Sequence, residues 1–165
     1  MATIQETKTT LEADAYRLSE ALGELVRVVG FRDRDRACCY GLSVTQCYAL
    51  KGVADATSLT VNDLASYLYL DKSTASRVAN GLEDKGLLTR ARDPDDGRVV
   101  RLVPTAAGWA TWRQIDDDLA GEYVELLRAF DPDVRAAILE LVGRLGGSFA
   151  SRVDTTGGSC CVLPK

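Results

Sequence analysis

The chain has 165 residues, 46% hydrophobic and 27% charged, with a formal net charge of −4 and no histidine. That size points to one domain with room for extra helices. The lack of histidine excludes His-containing zinc sites, Ser-His-Asp triads and Cys-His dyads together. The acidic balance argues only weakly against a nucleic-acid partner, because the distribution of charge matters more than its sum. No apolar run approaches the roughly 18 residues of a membrane span. The opening MATIQETKTT lacks the basic and apolar regions of a signal peptide. A cytoplasmic protein with no membrane partner is expected. The five cysteines are an odd number, so they cannot all pair within one chain. In a reducing cytoplasm they are expected as free thiols, metal ligands or redox sensors.

In chain order, Leu11, Ala15, Leu18, Leu22, Leu25 and Val29 form a heptad-like seam on one helix face. The charged run RDRDR follows, then a link holding Cys38, Cys39, Tyr40 and Gly41. Ser43 is a candidate cap for a second helix to about Asp55, with Cys47 in its first turns. Thr60 and Asp63 resemble a capping box before a short amphipathic helix carrying Leu64, Ala65 and Leu68. Asp71 restarts the chain as an N-cap. Ala75, Val78, Ala79 and Leu82 make an inward stripe, and Gly86 suits a helix stop. After Gly86 the period changes. LLTRAR and RVVRLVPT, separated by DPDDG, read as a β-hairpin with a polar tip. Thr105 opens a long helix with Trp112, Ile115, Leu119, Tyr123, Leu126, Leu127 and Phe130 in line. Asp131-Pro132 breaks it and begins another, carrying Val134, Ile138, Leu141, Leu145 and Phe149. Residues 151–165 are expected to be a flexible, cysteine-containing tail.

Two short helices joined by a tight turn and followed by a hairpin is the order of a winged helix-turn-helix. Such a module places its second helix in the DNA major groove and its wing along the backbone or in the minor groove. The second helix turns Lys72, Ser73, Thr74, Ser76, Arg77 and Asn80 outward. These side chains can donate to phosphates and base edges. The hairpin adds Arg90, Arg92, Arg98 and Arg101. Residues 71–101 carry seven basic and six acidic side chains, a net +1, which leaves −5 for the rest of a chain at −4. The module is locally basic in an acidic protein. The plainer reading is a solvated helix face beside an ordinary hairpin.

The stretch DKSTASRVANGLEDKGLLTR, followed by DPDDGRVVRLVPTAAG, resembles the MarR family of bacterial transcription regulators. The match is strong over residues 59–108, and the flanking helices fit the family plan over about 11–150. The resemblance implies a mainly α (α+β) fold over residues 1–150. It has a winged helix-turn-helix at about 43–104 and N- and C-terminal dimerisation helices at about 11–36 and 105–150. It implies a homodimer whose terminal helices interlock and present two winged modules to near-palindromic, double-stranded operator DNA. Arg98 matches the family's wing-tip arginine, and Ser73, Thr74, Ser76 and Arg77 match its recognition-helix face. The residues agree on the dimer: the apolar stripes outside the module exceed what one small module can cover.

The family does not require thiols at these positions, so they are read on their own. Thiolates favour soft ions, Cu(I), Zn(II), Cd(II), Hg(II) or trivalent arsenic, over hard ones. Cys38, Cys39, Cys47, Cys160 and Cys161 are the candidate ligands, and As(III) or another thiophilic metal is the candidate effector, with no obligatory cofactor. The closing GGSCC resembles the cysteine tails of some arsenic-responsive repressors from a different winged-helix family. A flexible tail can bring Cys160 and Cys161 to Cys38, Cys39 or Cys47 at little extra cost in loop closure. The expected consequence is a repressor that leaves its operator when the effector ties tail to link. Two rivals stay open. One is a redox or peroxide sensor, with Cys47 as a low-pKa thiolate near a helix start. The other is a repressor responding to small phenolic or lipophilic compounds, with Tyr40, Tyr48, Tyr67, Trp109 and Trp112 as lining, although aromatics at helical spacing are more often core. Cys38-Cys39 lacks the CxxC spacing of a reductase dithiol, so an enzyme is not expected.

Overall fold

The computed structural model describes the backbone of residues 2–155 and the side chains of residues 10–153 except that of Cys38. The expected tail cysteines, Cys160 and Cys161, lie outside the described residues. The element order is α1 (Ala2–Cys39), α2 (Val44–Asp55), α3 (Val61–Tyr67), α4 (Lys72–Asp84), β1 (Leu88–Arg92), β2 (Val100–Pro104), α5 (Ala106–Leu127) and α6 (Pro132–Thr155). This is the mainly helical winged fold, with one small antiparallel sheet. The chain divides into two compact units, residues 1–47 and 48–165.

In the first unit α1 runs further than the seam and the charged run suggested. Its stop is Gly41, at φ +64. There the Leu42 N–H donates to the Ala37 carbonyl at 3.0 Å and the Tyr40 N–H to the same oxygen at 3.2 Å. Such a close needs a left-handed residue, which glycine supplies without a Cβ penalty. Cys38 and Cys39 therefore belong to the last turn of α1, not to a link. Arginine is a good helix former, and alternating exposed charges do not end a helix. Leu11 and Leu25 are 70% and 54% exposed, so the apolar seam of α1 is largely uncovered.

At the start of α2, Ser43 caps reciprocally. Its hydroxyl accepts from the Gln46 N–H at 3.2 Å, and its own N–H donates to the Gln46 side chain at 3.0 Å. In the second unit Thr60 and Asp63 form the expected capping box at the start of α3. The turn between α3 and α4 is closed by Tyr69, a non-glycine residue at φ +53. There the Leu70 N–H donates to Ala65 O at 2.9 Å and the Tyr69 N–H to Ser66 O at 3.2 Å. The same double closure ends α4. Gly86 lies at φ +70, with Gly86 N–H on Glu83 O at 2.8 Å and Leu87 N–H on Leu82 O at 2.9 Å.

The hairpin pairs Leu88 with Pro104 through Arg92 with Val100. A single residue of the loop after α2 extends it: Leu59 bridges Leu102, exchanging bonds of 3.2 and 2.7 Å. Leu50, Val53, Leu64, Leu82 and Leu102 are fully buried and draw α2, α3, α4 and β2 into one core. Each such burial is worth about 1.5–3 kcal/mol relative to exposure. Trp112 of α5 joins this core, with the Lys51 ammonium 5.0 Å from its ring centroid. Further along α5 and on α6, Leu126, Val134, Leu139, Leu141 and Phe149 are exposed. α6 continues to Thr155, so residues 151–155 are helix where a flexible tail was expected from 151.

Thr105 caps α5. Its hydroxyl accepts from the Gly108 N–H at 3.0 Å and donates to the Gly86 carbonyl at 2.6 Å. A Cβ on Gly108 would stand 2.0 Å from the Leu87 carbonyl oxygen. Gly108→Ala must therefore push α5 off the start of the wing, at a cost of about 2 kcal/mol or more. Thermal unfolding at fixed protein concentration is expected to fall by roughly 4–8 °C. Thr57→Gly, at a β-branched position with φ +61, should shift it the other way by a few degrees.

Candidate nucleic-acid interface

Asp71 organises the start of α4. Its carboxylate accepts from the Thr74 N–H at 2.9 Å, the Thr74 hydroxyl at 2.7 Å and the Ser73 hydroxyl at 2.5 Å. The two hydroxyl bonds and the backbone bond hold its carboxyl far below the usual carboxylate range. Ser73 and Thr74 thus have their protons committed to the cap, which leaves their oxygens as acceptors. Lys72, Ser73, Arg77 and Asn80 are exposed, and Ser76 is half-buried between them. The steps from Ser73 to Ser76, Arg77 and Asn80 keep these residues on one helix face, opposite buried Ala75, Ala79 and Leu82. Arg77 lies back along the helix, with its guanidinium on the Thr74 hydroxyl at 2.9 Å.

Asp93 organises the wing. One carboxylate oxygen accepts from the Asp95 N–H at 2.8 Å and the Asp96 N–H at 3.1 Å, and the other from the Arg101 guanidinium. Arg101 is the leading cause of an Asp93 pKa lowered to about 2, with the two backbone bonds behind it. Asp93 in turn raises that of Arg101. Arg92 donates to the Gly97 carbonyl at 2.7 Å, pinning the tip from inside. Arg90 reaches from β1 to α4, donating to Glu83 at 2.8 Å and Asn80 at 2.7 Å.

The basic side chains expected at the interface therefore divide. Arg90 and Arg101 are each neutralised by a carboxylate. Lys72, Arg77, Arg92 and Arg98 are not. Among the described residues, neither the Lys72 ammonium nor the Arg98 guanidinium has a hydrogen-bond or ion-pair partner, and both are exposed. Sequence reasoning passed over Asp93 and Glu83, the acids that set this division. In Asp93-Pro94-Asp95-Asp96 only turn chemistry was visible, although an Asp opening a turn is the residue type that captures the following N–H groups.

The thiols are less assembled. Cys39 is exposed, with its Sγ 3.7 Å from the Asp35 carbonyl. Cys47 is half-buried, and burial followed by the Asp33 carboxylate pushes its thiol pKa up. That is opposite to the low-pKa thiolate weighed for it. Among the described residues, no three His, Cys, Asp or Glu side chains come together as a metal site. Of the aromatics considered as a ligand lining, Trp112 is core. Tyr67 packs so that a Cβ on Gly52 would lie 2.6 Å from its ring, and Trp109 carries Arg113 at 6.0 Å. No helix among the described residues is long and apolar enough to cross a membrane.

A family profile described as MarR family matches residues 40–99, from the end of α1 to the wing. Over that stretch the chain is similar to the MarR family. The chain is 33% identical over 89 residues to the uncharacterized HTH-type transcriptional regulator YxaD of Bacillus subtilis (strain 168), covering 54% of this chain and 62% of that one. It is 29% identical over 94 residues to the organic hydroperoxide resistance transcriptional regulator of the same strain, covering 57% and 63%. The chain thus spans less than two thirds of either relative's length. Among solved structures, a MarR family protein from Bacillus stearothermophilus superposes with a TM-score of 0.76 at 22% identity, over 84% of this chain and 96% of that one. That likeness establishes the fold.

The Asp93 bonds set a pH dependence for the wing. A carboxylate whose folded pKa is depressed stabilises the fold above its ordinary value and loses that contribution as pH falls through the folded value. The window here runs from about 4 down to about 2. In an NMR titration the Asp95 and Asp96 amide signals are expected to move with a midpoint near pH 2, and to lose that transition in Asp93→Asn. A midpoint near the ordinary carboxylate value would show that Asp93 does not hold the tip.

Proposed function

We propose that the protein is a cytoplasmic transcriptional regulator, not an enzyme, that binds double-stranded, near-palindromic operator DNA as a homodimer. α4 reads the major groove through Lys72, Ser73, Thr74, Ser76, Arg77 and Asn80. The wing places Arg98 at the backbone or minor groove, with Arg90, Arg92 and Arg101 shaping it. The observation that carries this reading is the division of charge within the winged module: Arg90 and Arg101 are neutralised, while Lys72 and Arg77 on α4 and Arg98 at the wing tip have no carboxylate among the described residues, so phosphates would complete them. Exposed apolar stripes on α1, and on α5 and α6, support a partner subunit.

The effector that fits best is trivalent arsenic or another thiophilic metal. It would be held by thiolates drawn from Cys38, Cys39, Cys47, Cys160 and Cys161, and its binding would release the DNA. The described thiols do not complete a three-ligand site on their own, so this reading requires the terminal pair, Cys38, or both. A soft ion displaces the proton of a thiol as it binds. A second reading, peroxide sensing, is supported by the similarity to a regulator named for organic hydroperoxide resistance and by the exposed Cys39.

The test is duplex selection from a randomised pool, followed by fluorescence anisotropy on the enriched sequence. Arg98→Ala and Lys72→Ala should each weaken binding across sequences and lower the salt slope by about one. Arsenite at micromolar concentration should release DNA from the wild type and not from Cys160→Ser/Cys161→Ser. Release by cumene hydroperoxide alone would favour the second reading. Release by salicylate alone, in both proteins, would move the effector to a phenolic compound.

A further inference from the structure

We infer that Arg90 fixes the hydrogen-bonding polarity of Asn80, so that Asn80 presents its amide protons rather than its oxygen to the base edge, and thereby selects guanine at one position of each half-site. The inference rests on the DNA-reading role proposed above and goes beyond it in naming what one residue reads and what sets that preference.

The chemistry leaves little freedom. A guanidinium has five N–H donors and no acceptor. The Asn80 side-chain atom that meets Arg90 Nη2 at 2.7 Å is therefore the carbonyl oxygen, and the amide nitrogen points away. Arg90 does not wander, because its Nε is held by Glu83 at 2.8 Å. Glu83 lies three residues beyond Asn80, one turn along the same helix. The fork thus spans β1 and α4, gripping the acid with one N–H and the amide with another. Asn80 is exposed and shares its face with Ser73, Ser76 and Arg77, the face proposed to enter the groove.

An unconstrained asparagine can pair with adenine in two bonds, accepting from N6 and donating to N7. Here the oxygen is already occupied by a charge-assisted bond. A second bond to it would bring the adenine amino group against a guanidinium, donor facing donor. The amide nitrogen keeps two protons. Guanine presents N7 and O6 side by side, both acceptors, whereas cytosine presents only an amino donor. Arg90 is on this account a positioning residue: it acts on sequence choice through Asn80, while its remaining N–H groups stay available to phosphate.

The experiment compares sequences selected from a randomised duplex pool by wild type, Asn80→Ala, Asn80→Asp and Arg90→Met, each checked for folding by thermal unfolding. Wild type should show one guanine per half-site whose preference falls roughly tenfold in Asn80→Ala. The same position should be lost in Asn80→Asp, which has no proton to give. Arg90→Met, which keeps an unbranched apolar stem, should relax guanine and enrich adenine roughly tenfold at that position, leaving the other positions unchanged. If Arg90→Met does not fold, Glu83→Gln loosens the guanidinium and should give the same change in smaller measure. An Asn80-dependent adenine in the wild type overturns the inference. So does a selected sequence indifferent to Asn80, or a guanine preference untouched by Arg90→Met and Glu83→Gln. If no protein, wild type included, enriches any sequence, the failure lies with the DNA-reading role itself.

Discussion

The reading head depends on how closely the first turn of α5 approaches the backbone at Leu87. The Leu87 N–H closes α4 on Leu82, while the Leu87 carbonyl accepts from the Thr105 N–H at 3.0 Å. The Thr105 hydroxyl binds the Gly86 carbonyl at 2.6 Å. Gly108 faces this junction with no Cβ, because 2.0 Å to Leu87 O leaves no room for one. The end of α4, the start of β1, the end of β2 and the cap of α5 are thus tied through a handful of backbone atoms. A movement of α5 cannot leave α4 behind. A ligand that favours one placement of α5 therefore moves helix and wing as one body, and under the proposed function would shift DNA affinity by no more than its own preference between the two placements.

Within that frame the acids decide which arginines matter to a partner. An exposed ion pair contributes little to stability, so the pairs of Arg90 with Glu83 and of Arg101 with Asp93 are better understood as geometry than as energy. Asp93 ties Arg101 and two tip amides together, and Arg92 closes the tip through the Gly97 carbonyl. The wing is shaped from within by charges that largely cancel. Arg98 then stands at the end of a held loop, and its ordering cost on meeting a phosphate is reduced in advance. A net charge of −4 is no obstacle, because within the winged module the cancellation is local and leaves Lys72 and Arg77 on one helix face and Arg98 at the tip without a carboxylate among the described residues.

Much of this frame could be read in the sequence. Ser43, Thr60, Asp71 and Thr105 announce helix starts by residue type, and all four caps are present. Gly86 announced a stop, and DPDDG a turn. These features are local, set within four or five residues. The misses are those that need a partner from elsewhere in the chain. Leu59 bridges Leu102 from a single loop residue, too short to leave a strand pattern. Tyr69 occupies a left-handed position by virtue of the turn around it, not of its own preference. The length of α1 turned on Gly41 rather than on the charged run before it, which moved Cys38 and Cys39 from loop to helix. Ser73, Ser76, Arg77 and Asn80 of the expected set share one helix face, but the division of the cations into neutralised and not depended on Glu83 and Asp93, whose partners are seven and eight residues away.

The thiols are where structure bears hardest on the choice between effectors. Cys47 is half-buried and stands near the carboxylate of Asp33, and both effects favour the protonated thiol. Oxidation by a peroxide begins from the thiolate, so the same environment that protects Cys47 slows that chemistry. A soft cation meets the opposite balance. It displaces the proton on binding, and a neighbouring carboxylate attracts it rather than opposing it. One environment therefore penalises the oxidant and tolerates the metal. Cys39, in the last turn of α1, is the exposed thiol among the described residues, and of the described thiols it is where a peroxide would find access.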